Sequence, residues 1–369
     1  MSEIKNKPGI AAIYLPQFYE TEYNNRWWGK GYTEWKACKA AKPTFAGHYQ
    51  PRVPAEGWYY DLTHKEDIRR QMELAREYGV DAFGIYQYYS CGKKLLEVPT
   101  EIIRDDPSLD LPFFLYWVNE SWKKAWFGQD KGVVWEQQYG SEEDWRRHFL
   151  YCLPYFKDER YLCLEGKPVY GIYNMNQIPD DRMLDCWQEW AREEGFPGIF
   201  FLNTWTHLNS EPRGKASGTW IKEPNYSFTH DERRVDRLKR VIQSCLKDFV
   251  NRHCHSGKKE GHIMHQADYD ILWNRALHRK WEDAGTIPGA FCDWDNTPRQ
   301  RTNAVVTKGV TVEKFEKYMK QLLKRAKANG SPFVLINAWN EWGEGAYLEP
   351  DMGRGDGFLA AIREAKKGL

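Results

Sequence analysis

What most constrains this chain is a set of apolar runs, too unbroken for strands with one face in water and mostly too short for helices. They are Gly9–Phe18 (GIAAIYLPQF), Val80–Tyr89, Pro112–Asn119, Pro168–Asn174, Gly198–Trp205, Gly289–Asp295 and Pro332–Trp339, with Trp220–Glu223 a weaker member of the series. A half-exposed strand alternates apolar and polar residues. A strand covered on both faces does not, so these runs predict a buried parallel sheet. Helical patterns lie between several of them. Asp67–Tyr78 puts Ile68, Met72, Ala75 and Tyr78 on one face and meets Gly79, a helix-stopping residue. Val312–Asn329 turns Phe315, Met319, Leu322, Leu323 and Ala326 inward before Gly330-Ser331-Pro332 redirects the chain into the last run.

Alternation of this kind, with about eight strands, predicts an α/β fold, a (β/α)8 TIM barrel occupying residues 1–369 as a single catalytic domain. The structural alternative is an open doubly wound sheet. That fold normally carries a glycine-rich phosphate loop after its first strand, whereas this first strand runs into Leu15-Pro16-Gln17-Phe18-Tyr19. Two stretches exceed ordinary connections, Tyr19–Asp61 and Asn209–Asp283. They are expected to be long insertions in the βα loops that wall a site.

Charge and composition narrow the class of ligand. With 53 Lys and Arg against 52 Asp and Glu, the formal net charge is +1, which gives no field to attract nucleic acid or an anionic membrane. The 18 Trp and 22 Tyr are the unusual count. They fit either a generous aromatic core or a sugar-binding cleft, where indole and phenol rings stack on the C–H faces of pyranoses. The eight cysteines form no CxxC pair, which suits a reducing compartment better than a disulfide scaffold or zinc ribbon. No leader-like apolar segment and no run of membrane-spanning length occurs, so the chain reads as cytoplasmic with no membrane span.

In a barrel the chemistry sits where strands end. The last strand delivers Asn340-Glu341-Trp342-Gly343-Glu344, two carboxylates three residues apart in a turn bracketed by Trp and Gly. Glycosidic cleavage needs such a pair, one protonated and one ionised, and a Trp-lined pocket separates their pKa values by desolvation and mutual repulsion. The alternative is two solvated loop glutamates. Asn119, Glu120 and Trp122, with Trp126 beyond them, end another strand and fit either sugar hydroxyls or a network bracing the barrel mouth. Asp293, Asp295 and Arg299 end a third and suggest hydroxyl binding or an ion pair that shapes the pocket. A rim of Gln17, Trp28, Glu34, Trp35, His48, Gln50, Tyr86 and Tyr88 joins them, with Asn340 and Trp342 as further contacts. His253, Cys254, His255, His262 and His265 loosely match metal-ligand spacing, but they lie in a Lys- and Arg-rich stretch read as a solvated loop. No metal and no cofactor is therefore expected.

Taken together, YLPQF, WWGKGYTEW, GHYQP, WVNESW, Glu165-Gly166-Lys167-Pro168, DWDNTPR and NAWNEWGEGAYLEPD resemble the WbsX-like family, which is related to the endo-α-mannosidases of glycoside hydrolase family 99. The resemblance runs from Tyr14 to Asp351. It implies a (β/α)8 barrel with retaining, metal-free chemistry. Glu341 would take the proton of a sugar 2-hydroxyl, and Glu344 would act first as general acid and then as general base. The expected partner is an oligosaccharide or polysaccharide, α-linked and mannose- or rhamnose-like. WbsX-like chains commonly accompany polysaccharide biosynthesis, so a glycosyltransferase of cell-surface polysaccharide is the main alternative, and a non-catalytic glycan-binding barrel the second.

Overall fold

The computed structural model describes residues 8–123, 133–206, 214–230, 245, 265–281, 285–301 and 304–369. Its centre is a parallel ring. Strands β1 (Gly9–Tyr14), β2 (Ala82–Ser90), β3 (Phe113–Trp117), β4 (Lys167–Ile172), β5 (Phe200–Trp205) and β6 (Gly218–Ile221) pair in chain order, and β9 (Phe333–Ile336) pairs with β1. The seventh stave is two pieces, β7 (Thr286–Ile287) and β8 (Gly289–Ala290), on either side of Pro288. β7 pairs with β6 and β8 with β9, so the ring closes across the proline. This explains why Gly289–Asp295 is not one strand. Proline donates no ladder hydrogen bond, and after Ala290 the chain turns outward to form the site. Strands β1, β2, β3 and β9 are buried along their whole length, as their unbroken apolar composition requires. The fold is the (β/α)8 barrel of the α/β class.

Helices cover the outside. α3 (Lys65–Tyr78) and α8 (Val312–Asn329) each end on a left-handed glycine, Gly79 and Gly330, whose amides close the last turn. α4 (Val98–Asp105) packs on α3, and α5 (Glu142–Phe156) opens on a Ser141–Asp144 capping box. α6 (Arg182–Glu193) packs on α5, α7 (Tyr269–His278) on α8, and α9 (Gly357–Lys367) fits between α8 and α3, closing the helical layer behind the first and last strands. The first long insertion carries two short helices, α1 (Glu22–Trp28) and α2 (Glu34–Ala40), the second packed on the Trp342–Glu344 turn. Outside the ring, His265–Asp268 pairs in parallel with Val305–Lys308, a small ladder with no clear apolar signature. Among the described residues, no helix is long and apolar enough to cross a membrane.

Candidate active site

The last strand leaves the ring at Ile336 and re-forms as a two-residue strand, Asn340–Glu341, antiparallel to Ala346–Tyr347. Between them Trp342–Glu344 is a single 3-10 turn. Residues three apart eclipse one another in such a turn, so Glu341 and Glu344 point the same way. Both meet one guanidinium. Arg299 donates from Nη2 to Glu341 at 2.9 Å, from Nη1 to Glu344 at 2.9 Å and from Nε to Glu34 at 2.6 Å. Three loops thus converge, with Glu34 from α2, Arg299 from the turn Thr297–Gln300 and the pair from the last strand.

Two glycines make this convergence possible. A Cβ on Gly343 would lie 1.9 Å from Oε1 of Glu34 and 2.7 Å from Nε of Arg299. Gly345 has φ +62° and no room for a side chain against Asp295.

The electrostatics follow from burial. Burial pushes the Glu341 carboxyl up; Arg299 opposes it, Glu344 adds to it, Lys222 opposes it and Glu34 adds to it, and the net result is a pKa of about 7. Arg299 loses solvation but is surrounded by Glu34, Glu341 and Glu344, which hold it firmly charged. Glu341 is therefore a carboxyl that exchanges its proton near neutrality beside a permanent cation.

These groups open on a cavity of about 370 Å³. Of the residues singled out from sequence, Gln17, Tyr86, Tyr88, Glu120, Trp122, Arg299, Glu341 and Glu344 line it. Several of the others are held by protein partners instead. His48 and Gln50 contact Asp295 Oδ2 at 2.8 and 2.7 Å, and Thr297 donates to Oδ1 at 2.7 Å. Burial raises the Asp295 carboxyl, but His48, Arg52, Thr297 and Gln50 outweigh it and hold it well below the usual range. Asp293 is likewise held low, by Arg52 and Arg354 against burial, and forms ion pairs of 2.9 and 2.8 Å with them. Asn119 spans to Asn174, accepting from its backbone N–H and donating to its carbonyl, both at 2.8 Å. Asn340 does the same for Leu15 at 2.7 and 3.0 Å, binding the turn that carries Glu341 and Glu344 to the end of β1. Trp35 donates to the Tyr60 carbonyl, Trp342 donates to Glu349 and stacks on Tyr347, and Trp28 stacks on Tyr32. Glu34 acts through Arg299. Trp126, His253, Cys254, His255 and His262 lie outside the described residues; His265 opens the small outer ladder. Among the described residues, no cluster of three or more His, Cys, Asp or Glu could hold a metal ion.

The cavity also contains residues that the sequence reading passed over, among them Lys222, Tyr173, Asn225 and Trp294. Lys222 follows β6, and its ammonium donates to the Tyr86 hydroxyl at 3.0 Å. Its signal was present, because it directly follows a barrel strand. The strand was short and weak in sequence, and the lysine was not weighed.

Comparison with known proteins shows the family and the fold. The pattern of the family described as Glycosyltransferase WbsX matches residues 10–362. The protein WxcX of Xanthomonas campestris pv. campestris, in two strains, is 31% identical over 360 residues, 96% of this chain. The alignment spans 49% of WxcX, so the chain covers about half the length of the curated relatives it matches. Among solved structures, a family 99 endo-α-mannosidase from Bacteroides thetaiotaomicron superposes with a TM-score of 0.52 at 12% identity, covering 97% of this chain and 96% of the other. A glycoside hydrolase-like protein superposes with a TM-score of 0.56 at 13% identity, covering 99% and 95%. Those likenesses show a shared barrel, and the sequence match along nearly all of the chain shows kinship: the chain belongs to the WbsX glycosyltransferase family.

Proposed function

We propose that this chain is a carbohydrate-active enzyme, a retaining glycoside hydrolase that cleaves an α-linked glycan with Glu341 and Glu344. The observation that carries the reading is the shared clamp. Two carboxylates on one 3-10 turn reach the same guanidinium at the wall of a cavity, and the more buried one has a pKa of about 7. A general base works best when its pKa lies near the working pH. Glu341 has that property and takes the proton of the sugar 2-hydroxyl. The freed oxygen attacks the anomeric carbon and forms a 1,2-anhydro sugar, while Glu344 gives its proton to the departing glycosidic oxygen. In the second half, Glu344 takes a proton from water as the water opens the anhydro ring, and Glu341 returns the first proton to the 2-oxygen. Arg299 keeps the two carboxylates aimed throughout. The aromatic walls Tyr86, Tyr88, Trp122 and Trp294 provide the stacking faces a sugar needs.

A second reading, transfer to another sugar in place of water, is favoured by the family's description. One experiment separates them. The protein is incubated with a panel of α-linked oligosaccharides and, separately, with nucleotide-sugars plus acceptors. Release of an α-configured reducing sugar from the first set supports hydrolysis with retention. Product formed only from nucleotide-sugars rejects it in favour of transfer, and product from neither set rejects both.

A further inference from the structure

Lys222 is 6% exposed yet lines the cavity. Its ammonium sits among rings, 5.1 Å from the centroid of Tyr173 and 5.7 Å from those of Tyr86 and Trp220. An ammonium has three N–H donors. Among the described residues, one is taken, by the Tyr86 oxygen. The cavity's carboxylates have other partners, Arg299 for Glu341 and Glu344, Asn174 and Gln177 for Glu120. Because the Tyr86 oxygen accepts from Lys222, the phenol proton is left to donate. No acceptor for it occurs among the described residues. The cavity therefore presents two adjacent donors, one charged, on a wall that otherwise offers aromatic surface.

Among the described residues no carboxylate is within ion-pair distance of Lys222, and Glu341 acts on it only from farther away. A buried cation with no carboxylate in contact is costly, and a carboxylate that accepts two hydrogen bonds from it and its neighbour offsets that cost. Neutral sugar hydroxyls would satisfy the donors but not the charge. We infer that the glycan this cavity takes is acidic, with the carboxylate of a uronic acid residue seated on Lys222 and the Tyr86 hydroxyl. The inference rests on the reading of the cavity as a glycan site and adds the substrate class. Glu341 and Glu344 act on Tyr86 and oppose it only in part, because Arg299 pairs with both and Glu341 is partly protonated near neutral pH.

The test measures binding, not turnover. The probes are methyl 1-thio-α-glycosides of glucuronic, galacturonic and mannuronic acid, each beside its neutral hexose, titrated by calorimetry. The sulfur link prevents cleavage. At least one acid is expected to bind tenfold or more tightly than its neutral partner. K222M should shrink that gap below twofold, while K222R retains part of it. Y86F keeps the ring but removes the donor, and should reduce the gap even if K222M does not fold. Acid–neutral pairs that all agree within twofold would overturn the inference while leaving the glycan site standing. So would a preference that survives both K222M and Y86F. Failure of every probe, acidic and neutral alike, would remove both this inference and the glycan reading beneath it.

Discussion

Gly343 and Glu34, 309 positions apart in the sequence, occupy one space: a methyl group on the glycine would lie 1.9 Å from the glutamate oxygen that receives Arg299. The glycine between Glu341 and Glu344 is thus fixed by a partner in the first insertion. G343A should push Glu34 off the guanidinium. Overpacking of this kind typically costs about 1–3 kcal/mol. A lowered melting temperature should accompany a loss of activity, and a variant matching the parent in both would show that the turn adapts.

The two glutamates should fail differently when replaced by the near-isosteric amide. E341Q and E344Q are each expected to fold and to lose roughly 100- to 10,000-fold in rate, the usual contribution of general acid–base catalysis. Substrates with an activated leaving group need little protonation, so E344Q should recover on them. E341Q should not, because its role is to create the nucleophile. Steady-state rates on a confirmed substrate, with poor and good leaving groups, check both statements. Equal activity of both variants and the parent would move the chemistry elsewhere.

The pH profile should carry the mark of Glu341. As a base it must be ionised, so kcat/KM should rise with pH through about 7. Stability should run the other way. Burial raises the folded-state pKa of Glu341 and of Glu349, each to about 7, above the unfolded value of about 4.3. Their protonated forms contribute stability that is full below the unfolded pKa and is lost as pH rises through the folded one. Melting temperatures should therefore decline from about pH 4.5 to 7, with a shallower decline in E349Q. Asp295 and Asp293 have the opposite sign. Their lowered pKa values contribute stability above the ordinary carboxylate pKa, which is lost as the solution becomes more acidic than that.

Arg299 should resist conservative replacement. Lysine keeps the charge but has no planar fork to reach three carboxylates at once. R299K leaves at least one of Glu34, Glu341 and Glu344 buried without its partner, and removing one member of a buried ion pair typically costs about 3–5 kcal/mol. Thermal unfolding should show a drop on that scale. The double variant R299K/E34Q should recover part of it, because it removes one of the surplus negative charges.

The barrel was legible because strands buried on both faces must be apolar throughout, and this sequence shows that in β1, β2, β3 and β9. The turn that carries Glu341 and Glu344 was legible for a related reason: it lies within a few residues of the end of the last such strand. What sequence does not display is which polar side chains turn toward the cavity and which turn toward one another. Asp295 and Asn119 have the composition of ligand contacts, but both are occupied by protein partners. Nothing local announces that, since His48 and Gln50 meet Asp295 from more than two hundred residues away. Lys222 shows the converse, a cavity-lining position at the end of a short strand whose apolar signature is weak.

Asn340 grips the backbone of Leu15 by both its N–H and its carbonyl, joining residues 325 apart. The final strand thus inserts beside the first only after nearly the entire chain has been made. Until it does, β1 offers a bare edge and Arg299 lacks two of its three counter-charges. A chain cut short before Phe333 would therefore carry an exposed sheet edge and an under-neutralised arginine along with the loss of its two glutamates. Sealing the ring and bringing Glu341 and Glu344 to Arg299 are the same event.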